Sequence, residues 1–295
     1  MIPLWVTSLG AVAWGAIWGS FANVVVHRWP REQSLVRPGS RCPACGHPIR
    51  WYDNIPILSW FVLGAKCRDC RAPISSRYPL VEATSALLAA AVWYRLATDA
   101  LAFQGVVGPD TLGRFLIEFQ ILWGLMTVSL VDLETLLVPD VIVLPLVGLA
   151  LLGQLVFPEG QPLRNAIAAA AGYAVVHVVF VFGWRKLTGR EGMGLGDGKI
   201  LALLGAQLGP GVLPFALVAG ALQGLVYVLV VMVFLRRTPT PEGSGEAPAS
   251  GWRETKVPFG PFLALAAIEA VFLAPLVAPH VADLPILRAL FLPWL

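Results

Sequence analysis

The chain has 295 residues, of which 57% are apolar and only 13% charged, about half the charged fraction of a soluble domain. With a mean hydropathy of +0.73, a water-soluble fold is excluded and a polytopic membrane protein is expected. A net charge of +3 says little about partners, and nucleic acid is not expected among them. Where the charges lie says more than their sum.

Residues 1–26 carry no charged side chain. The run is too long for the apolar core of a cleaved signal and no Lys or Arg precedes it, so it reads as a retained first span. Further apolar runs follow, and a helix needs roughly 20 such residues to cross a bilayer. The longest, 200–235, is interrupted by Gly209-Pro210-Gly211 and is read as two helices. The result is an all-α fold of about eight transmembrane segments. They lie near 3–27, 79–97, 113–131, 139–157, 163–184, 198–208, 211–235 and 259–277. Of the 21 Lys and Arg, nine fall in 28–78, four in 185–199 and four in 236–256. Such loops face the cytoplasm, which places both termini on the outer side of the membrane. Three parts are expected: a first span (1–27), a cytoplasmic domain (28–78) and a membrane domain (79–295). The stretch 238–251, rich in Pro, Gly and Ser, reads as a flexible cytoplasmic linker. Trp5, Trp29, Trp93 and Trp184 fall near span ends, as an interfacial aromatic belt would.

Residues 28–78 hold all four cysteines, in "CPACGHPI" (Cys42, Cys45) and "CRDCRAPI" (Cys67, Cys70). Each copy reads C-x-x-C-x-x-P-I, with 21 residues between the pairs. Two C-x-x-C turns supply four thiolates, the ligand set of a closed, structural zinc site. A redox pair, unlinked core cysteines, or His47 in place of one thiolate are the other readings. A loop of this size has little core, so a bound metal would supply much of its folding energy.

Few acids are placed for chemistry. Asp132, in "VSLVDLETLLVPD", ends the third apolar run, and Asp197, in "GMGLGDGK", begins the sixth. Both are expected at the cytoplasmic boundary. Two carboxylates brought together share a proton and can activate water between them, whereas either alone would read as an interfacial helix cap. The glycines before Asp197 are expected to let backbones approach closely, to allow positive φ and to present the acid from a bend instead of a regular helix. A dinucleotide or phosphate loop is excluded, since membrane spans flank the glycines and the spacing is wrong.

The chain resembles the bacterial type IV prepilin peptidases, or prepilin leader peptidase/N-methyltransferases, over nearly its whole length. The resemblance rests on "GSFANVVVHRWP" (19–30), the paired C-x-x-C knuckles, "PISSRYPLVE" (73–82), "VDLETLLVPD" (131–140), "GMGLGDGK" (192–199) and "VPFGPFLALA" (257–266), in that order. It implies an aspartic endopeptidase that removes the leader of prepilins or pseudopilins at the cytoplasmic membrane face, with Asp132 and Asp197 catalytic. It also implies N-methylation of the new terminus with S-adenosylmethionine. No residue is assigned to that cofactor. The Gly-x-Gly-Asp motif is shared with intramembrane aspartic proteases such as presenilin, over a few residues only.

Other acids and bases have blander readings. Asp140 and Glu134 are rivals of Asp132, and Lys199 either favours the ionised form of Asp197 or anchors at the lipid phosphates. Glu82, in a block near the methyltransferase region in family terms, reads as a helix-start carboxylate. His177 reads as a hydrogen-bonded packing residue near mid-membrane, and Glu269 as reaching a neighbouring helix or the outer face. Two other classes stay open: a transporter, suggested by the broken run at 200–235, and a scaffold docking through the cysteine loop.

Overall fold

A computed structural model describes residues 3–104, 106–189, 192–234, 257–273 and 276. The linker at 238–251 and the basic residues of 236–256 lie outside them. Among the described residues the fold is helical, the only extended pairings being two isolated bridges, Arg41 with Pro48 and Lys66 with Pro73. In chain order the helices are α1 (Leu4–Arg28), α2 (Leu58–Val62), α3 (Arg77–Gln104), α4 (Pro109–Thr135), α5 (Asp140–Val156), α6 (Pro162–Val175), α7 (Trp184–Thr188), α8 (Leu195–Leu208), α9 (Val212–Phe234) and α10 (Gly260–Phe272). A π-helical stretch, Val176–Gly183, joins α6 to α7.

A helix stands at each of the eight expected positions, and they differ in length. Five candidate spans are Leu4–Arg31, Arg77–Ala102, Pro109–Thr135, Pro162–Thr188 and Val212–Val231. Helices α5 and α10 are apolar but have 17 and 13 residues, and α8 has 14. At 1.5 Å per residue, α8 is about 21 Å long, short of the ~30 Å hydrocarbon core. Among the described residues, five helices are by themselves long and apolar enough to cross.

The chain divides into two compact units, Met1–Phe119 and Gln120–Leu295. In the first, α1 packs on α3 through Gly15 and Gly19, four residues apart. A Cβ at Gly15 would lie 2.6 Å from the Ser85 carbonyl oxygen, and one at Gly19 would lie 2.6 Å from the Glu82 Cα. Small residues at this spacing let two membrane helices touch backbone to backbone. The Ser85 hydroxyl donates to the Gly15 carbonyl (2.6 Å), and Asn23 donates to the Tyr78 carbonyl (3.2 Å). Trp93, expected in an interfacial belt, is instead buried edge-on against Phe115. Trp5 and Trp184 are exposed.

The second unit is built around α8. Its Ile200, Leu201, Leu203 and Leu204 are fully buried, because α5, α6, α9 and α10 all pack on it. A helix apolar on every side is a buried one. Gly205 and Gly172 let α6 approach closely, and Asn165 donates to the Ala206 carbonyl (3.1 Å). Gln154 of α5 donates to the Gln207 carbonyl (3.0 Å). These side chains serve the orphan carbonyls at the end of α8, where lipid offers no partner. The helix stops at Gly209, which adopts φ +83° ahead of Pro210, so the expected break at 209–211 is where the chain turns.

Candidate active site and metal centre

Asp132 lies in the last turn of α4. The chain then turns sharply: Leu136 adopts φ +56° and its N–H donates to the Asp132 carbonyl (2.9 Å). The Asp132 side chain, only 5% exposed, accepts through Oδ2 the backbone N–H of Gly260 (3.0 Å), a residue 128 positions away. Gly260 opens α10 and is followed by Pro261. Its N–H is one of the orphan donors of a helix start, and Asp132 satisfies it from another helix.

Asp197, 6% exposed, occupies the third position of α8. Its Oδ2 accepts the N–H of Gly194, the residue preceding that helix (3.1 Å). The expected bend with positive φ is therefore corrected. Gly194 has φ −69°, and Asp197 sits in the first turn of a regular helix. The neighbouring glycines serve close approach. A Cβ on Gly196 would lie 2.5 Å from Val138 of the α4–α5 loop, and one on Gly198 would lie 3.0 Å from His177 Nδ1. Each Asp thus has one oxygen tied to a glycine N–H. The two carboxylates are near enough to interact electrostatically, although 65 positions apart, and Ile200 of α8 also lies beside Gly260.

Lys199 does not attend Asp197. It forms an ion pair with Asp140 at the start of α5. His177, near the middle of the stretch Pro162–Thr188, lies against Gly198 of α8 and is hydrogen-bonded, as expected. Its Nδ1 bonds the Tyr173 carbonyl (2.9 Å) and its ring stacks on Tyr173. The π-helical stretch it belongs to was not legible in an all-apolar run without periodicity. Glu269 accepts from Gln223 of α9 (2.8 Å), the neighbouring-helix contact foreseen for it. Gly260 falls within the motif VPFGPFLALA, and no local signal in the sequence names its distant acceptor.

The cysteine loop folds as two matching knuckles. Cys42 N–H donates to His47 O (3.0 Å) and Cys67 N–H to Ala72 O (2.8 Å). Gly46 N–H returns to Cys42 O, and Arg71 N–H to Cys67 O, both residues at positive φ. The sulfurs of Cys42, Cys45, Cys67 and Cys70 lie within 4.8 Å of one another. The Cys42–Cys70 separation is 3.7 Å, close to the roughly 3.8 Å edge of a tetrahedron with 2.3 Å metal–sulfur bonds. The backbone N–H groups of Cys45 and Ala44 hold the Cys42 thiol down to about 7. At Cys70 the Ala72 N–H also lowers the value. Burial and the hydrogen bonds shared with Cys45, Cys67 and Cys42 outweigh it and push the thiol up to about 12. Four sulfurs this close cannot all be thiolates without a cation among them, so the set fits a metal ion. His47 is 3.9 Å from the Asp69 carboxylate.

These features define a polytopic membrane protein with two acids buried at helix ends and a closed four-cysteine cluster. Residues 13–96 match the family model of the Bacterial Peptidase A24 N-terminal domain, and residues 119–229 that of the Type IV leader peptidase family. The prepilin leader peptidase/N-methyltransferase of Pseudomonas aeruginosa is 38% identical over 277 residues, covering 85% of each chain. The proteins of that name from Aeromonas hydrophila and Myxococcus xanthus are 37% identical over 272 residues and 35% identical over 316, covering 84% and 87% of each chain. No solved structure matches the chain. The chain belongs to the type IV leader peptidase family.

Proposed function

We propose that this protein is a membrane aspartic endopeptidase that cleaves the leader from prepilins or pseudopilins at the cytoplasmic face of the inner membrane and N-methylates the new terminus. The observation that carries the peptidase reading is the pair Asp132 and Asp197, each buried and each tethered by a glycine N–H. One aspartate, ionised, takes a proton from water. The other, protonated, donates to the scissile carbonyl oxygen. Water oxygen bonds to the carbonyl carbon, the C–N bond breaks, and the amine leaves with a proton. The tethers keep both carboxylates from rotating away, so the second oxygen of each is the one available for proton transfer.

Zinc fits the four thiolates of Cys42, Cys45, Cys67 and Cys70, and would hold the 28–78 domain together on the cytoplasmic side. With no open position on the ion, its role is structural. S-adenosylmethionine, implied by the relatives' name, supplies an electrophilic methyl group when bound, and the new terminal amine is its acceptor. Both chain termini face the periplasm in this reading, which rests on the Lys and Arg of the cytoplasmic loops.

The test is cleavage of a purified prepilin in detergent with S-adenosylmethionine, read by mass spectrometry, for wild type, Asp132→Asn and Asp197→Asn. Processed, methylated product from wild type and none from either variant is expected. Equal cleavage by all three would remove the mechanism.

A further inference from the structure

The loop between the first two spans contains a segment that behaves unlike the rest of its domain. Residues 55–65, "IPILSWFVLGA", lie between Asp53 and Lys66 and hold no charge. Their short helix, α2, turns Leu58, Phe61 and Val62 outward, 62%, 65% and 79% exposed. Positions i, i+3 and i+4 share one helix face, so three large apolar side chains form one uncovered strip.

The depth of this strip is set by a buried acid. Glu82 Oε2 accepts the N–H of Ile57 (2.7 Å). Glu82 lies five residues inside Arg77, the first residue of α3, or about 7.5 Å along the axis. Its Cα in turn packs on Gly19 of α1, nine residues short of Arg28 and so about 13 Å below the end of that helix. The segment is therefore tied beside the first turns of α3, next to the last turns of α1. The attachment is built at a cost. Ile57 adopts φ +64°, ψ −55°, and Leu58 N–H closes a tight three-residue turn on the Pro56 carbonyl (2.6 Å). A β-branched residue holds that conformation only where its surroundings impose it. Glu82 bonds the N–H of that residue, and the Ser59 hydroxyl fixes the flanks through Ile55 N–H (2.9 Å) and Tyr52 O (3.1 Å).

We propose that Ile55–Leu63 is a monotopic segment seated in the leaflet where α1 ends and α3 begins, with Leu58, Phe61 and Val62 against lipid acyl chains. Two observations select lipid as the occupant. The span it is bonded to, α3, and the helix packed on that span, α1, expose large apolar side chains of their own, Leu80 and Leu87 on α3 and Ile17 and Phe21 on α1. The surrounding loop is cationic, with nine Lys or Arg against three acids over 28–78, and Lys66, Arg71 and Arg77 are exposed around the strip. An apolar helix face with a basic surround is the pattern of interfacial binding to anionic bilayers. The consequence is that the four-cysteine centre is held at a fixed height over the membrane.

The experiment uses the full-length protein in nanodiscs of phosphatidylethanolamine and phosphatidylglycerol doped with a lipid bearing a diazirine in its acyl chain. After photolysis and digestion, lipid adducts are mapped by mass spectrometry. Adducts on the peptide carrying Leu58, Phe61 and Val62 are expected, as strong as those on α1 and α3, with none on the peptide of the Cys42–Cys45 knuckle. The variant Phe61→Glu/Val62→Glu is expected to lose the segment's adducts and keep those on α1 and α3. Labelled α1 and α3 beside an unlabelled 55–63 peptide would overturn the proposal. So would labelling of the knuckle and the segment alike. Neither outcome depends on prepilin cleavage.

Discussion

Substituting Gly260 by alanine tests the tether on Asp132. A Cβ there would lie 2.7 Å from Asp132 Oδ2, 3.3 Å from its Cγ and 3.1 Å from Ile200 Cδ1. Carbon and oxygen that are not bonded settle near 3.3 Å, so the carboxylate oxygen or the start of α10 must move by roughly 0.5 Å. Neither has free space: Asp132 and Gly260 are buried, and Ile200 is 1% exposed. A displacement of about 1 Å in a reacting group costs on the order of 100-fold in rate, so roughly half that shift is expected to lower kcat for leader cleavage by about 10-fold or more. KM should change less than kcat, because the group displaced is the one that transfers a proton. Methylation of an already cleaved pilin should persist, which separates a misplaced aspartate from an unfolded protein. Gly224→Ala is the control, since its Cβ meets only Phe262 ring carbons at 3.4 Å. Full cleavage by Gly260→Ala, with the protein intact, would refute the positioning role.

Gly196→Ala should abolish most cleavage through its 2.5 Å conflict with Val138, and adding Val138→Ala should restore part of it; absence of rescue would mean that Val138 is not the obstacle. Removing metal with a strong chelator should expose 28–78 to protease while sparing the helices. Acidification should do the same, because protons compete for thiolates and release metal as pH falls; unchanged digestion after verified metal loss would count against a structural centre. Lys199→Met breaks an ion pair whose Asp140 side chain is 56% exposed. A change in stability of at most about 1 kcal/mol is expected, with an unmoved pH–rate profile; a shifted profile would instead tie Lys199 to the aspartate pair.

The helix positions and the two aspartates were legible because they leave local signals: charge-free runs, a Gly-Pro-Gly break, and acids at the ends of runs. The knuckles were legible because the repeat C-x-x-C-x-x-P-I returns as repeated hydrogen bonds. What the sequence concealed were pairings without periodicity. The Gly260 N–H meets an acceptor 128 positions away, Lys199 meets Asp140 from another helix, and His177, in a π-helical stretch, lies against Gly198. For the glycines of the Gly-x-Gly-Asp stretch the sequence suggests both close approach and conformational freedom, and only the first is used. Their value here is the absence of a side chain, since Val138 and His177 stand where a Cβ would go. Apolarity alone also does not separate a buried helix from a spanning one: α8, 14 residues long, is apolar on every side and surrounded by protein.

Both acids also do structural work, and this separates two substitutions that are often treated alike. A helix that starts within a membrane has donors that lipid cannot satisfy, and Asp132 is the acceptor for α10. Asparagine keeps a carbonyl oxygen in nearly the same place, so Asp132→Asn should lose the proton chemistry and keep the bond to Gly260. Alanine leaves a buried N–H without a partner, which costs about 1–3 kcal/mol. Both variants should be inactive in cleavage, but thermal unfolding in detergent should show Asp132→Ala clearly less stable than Asp132→Asn, and Asp132→Asn close to wild type. Equal stability of the two variants would mean that the bond to Gly260 contributes nothing to holding α10, and that the site is assembled by apolar packing around Ile200 alone.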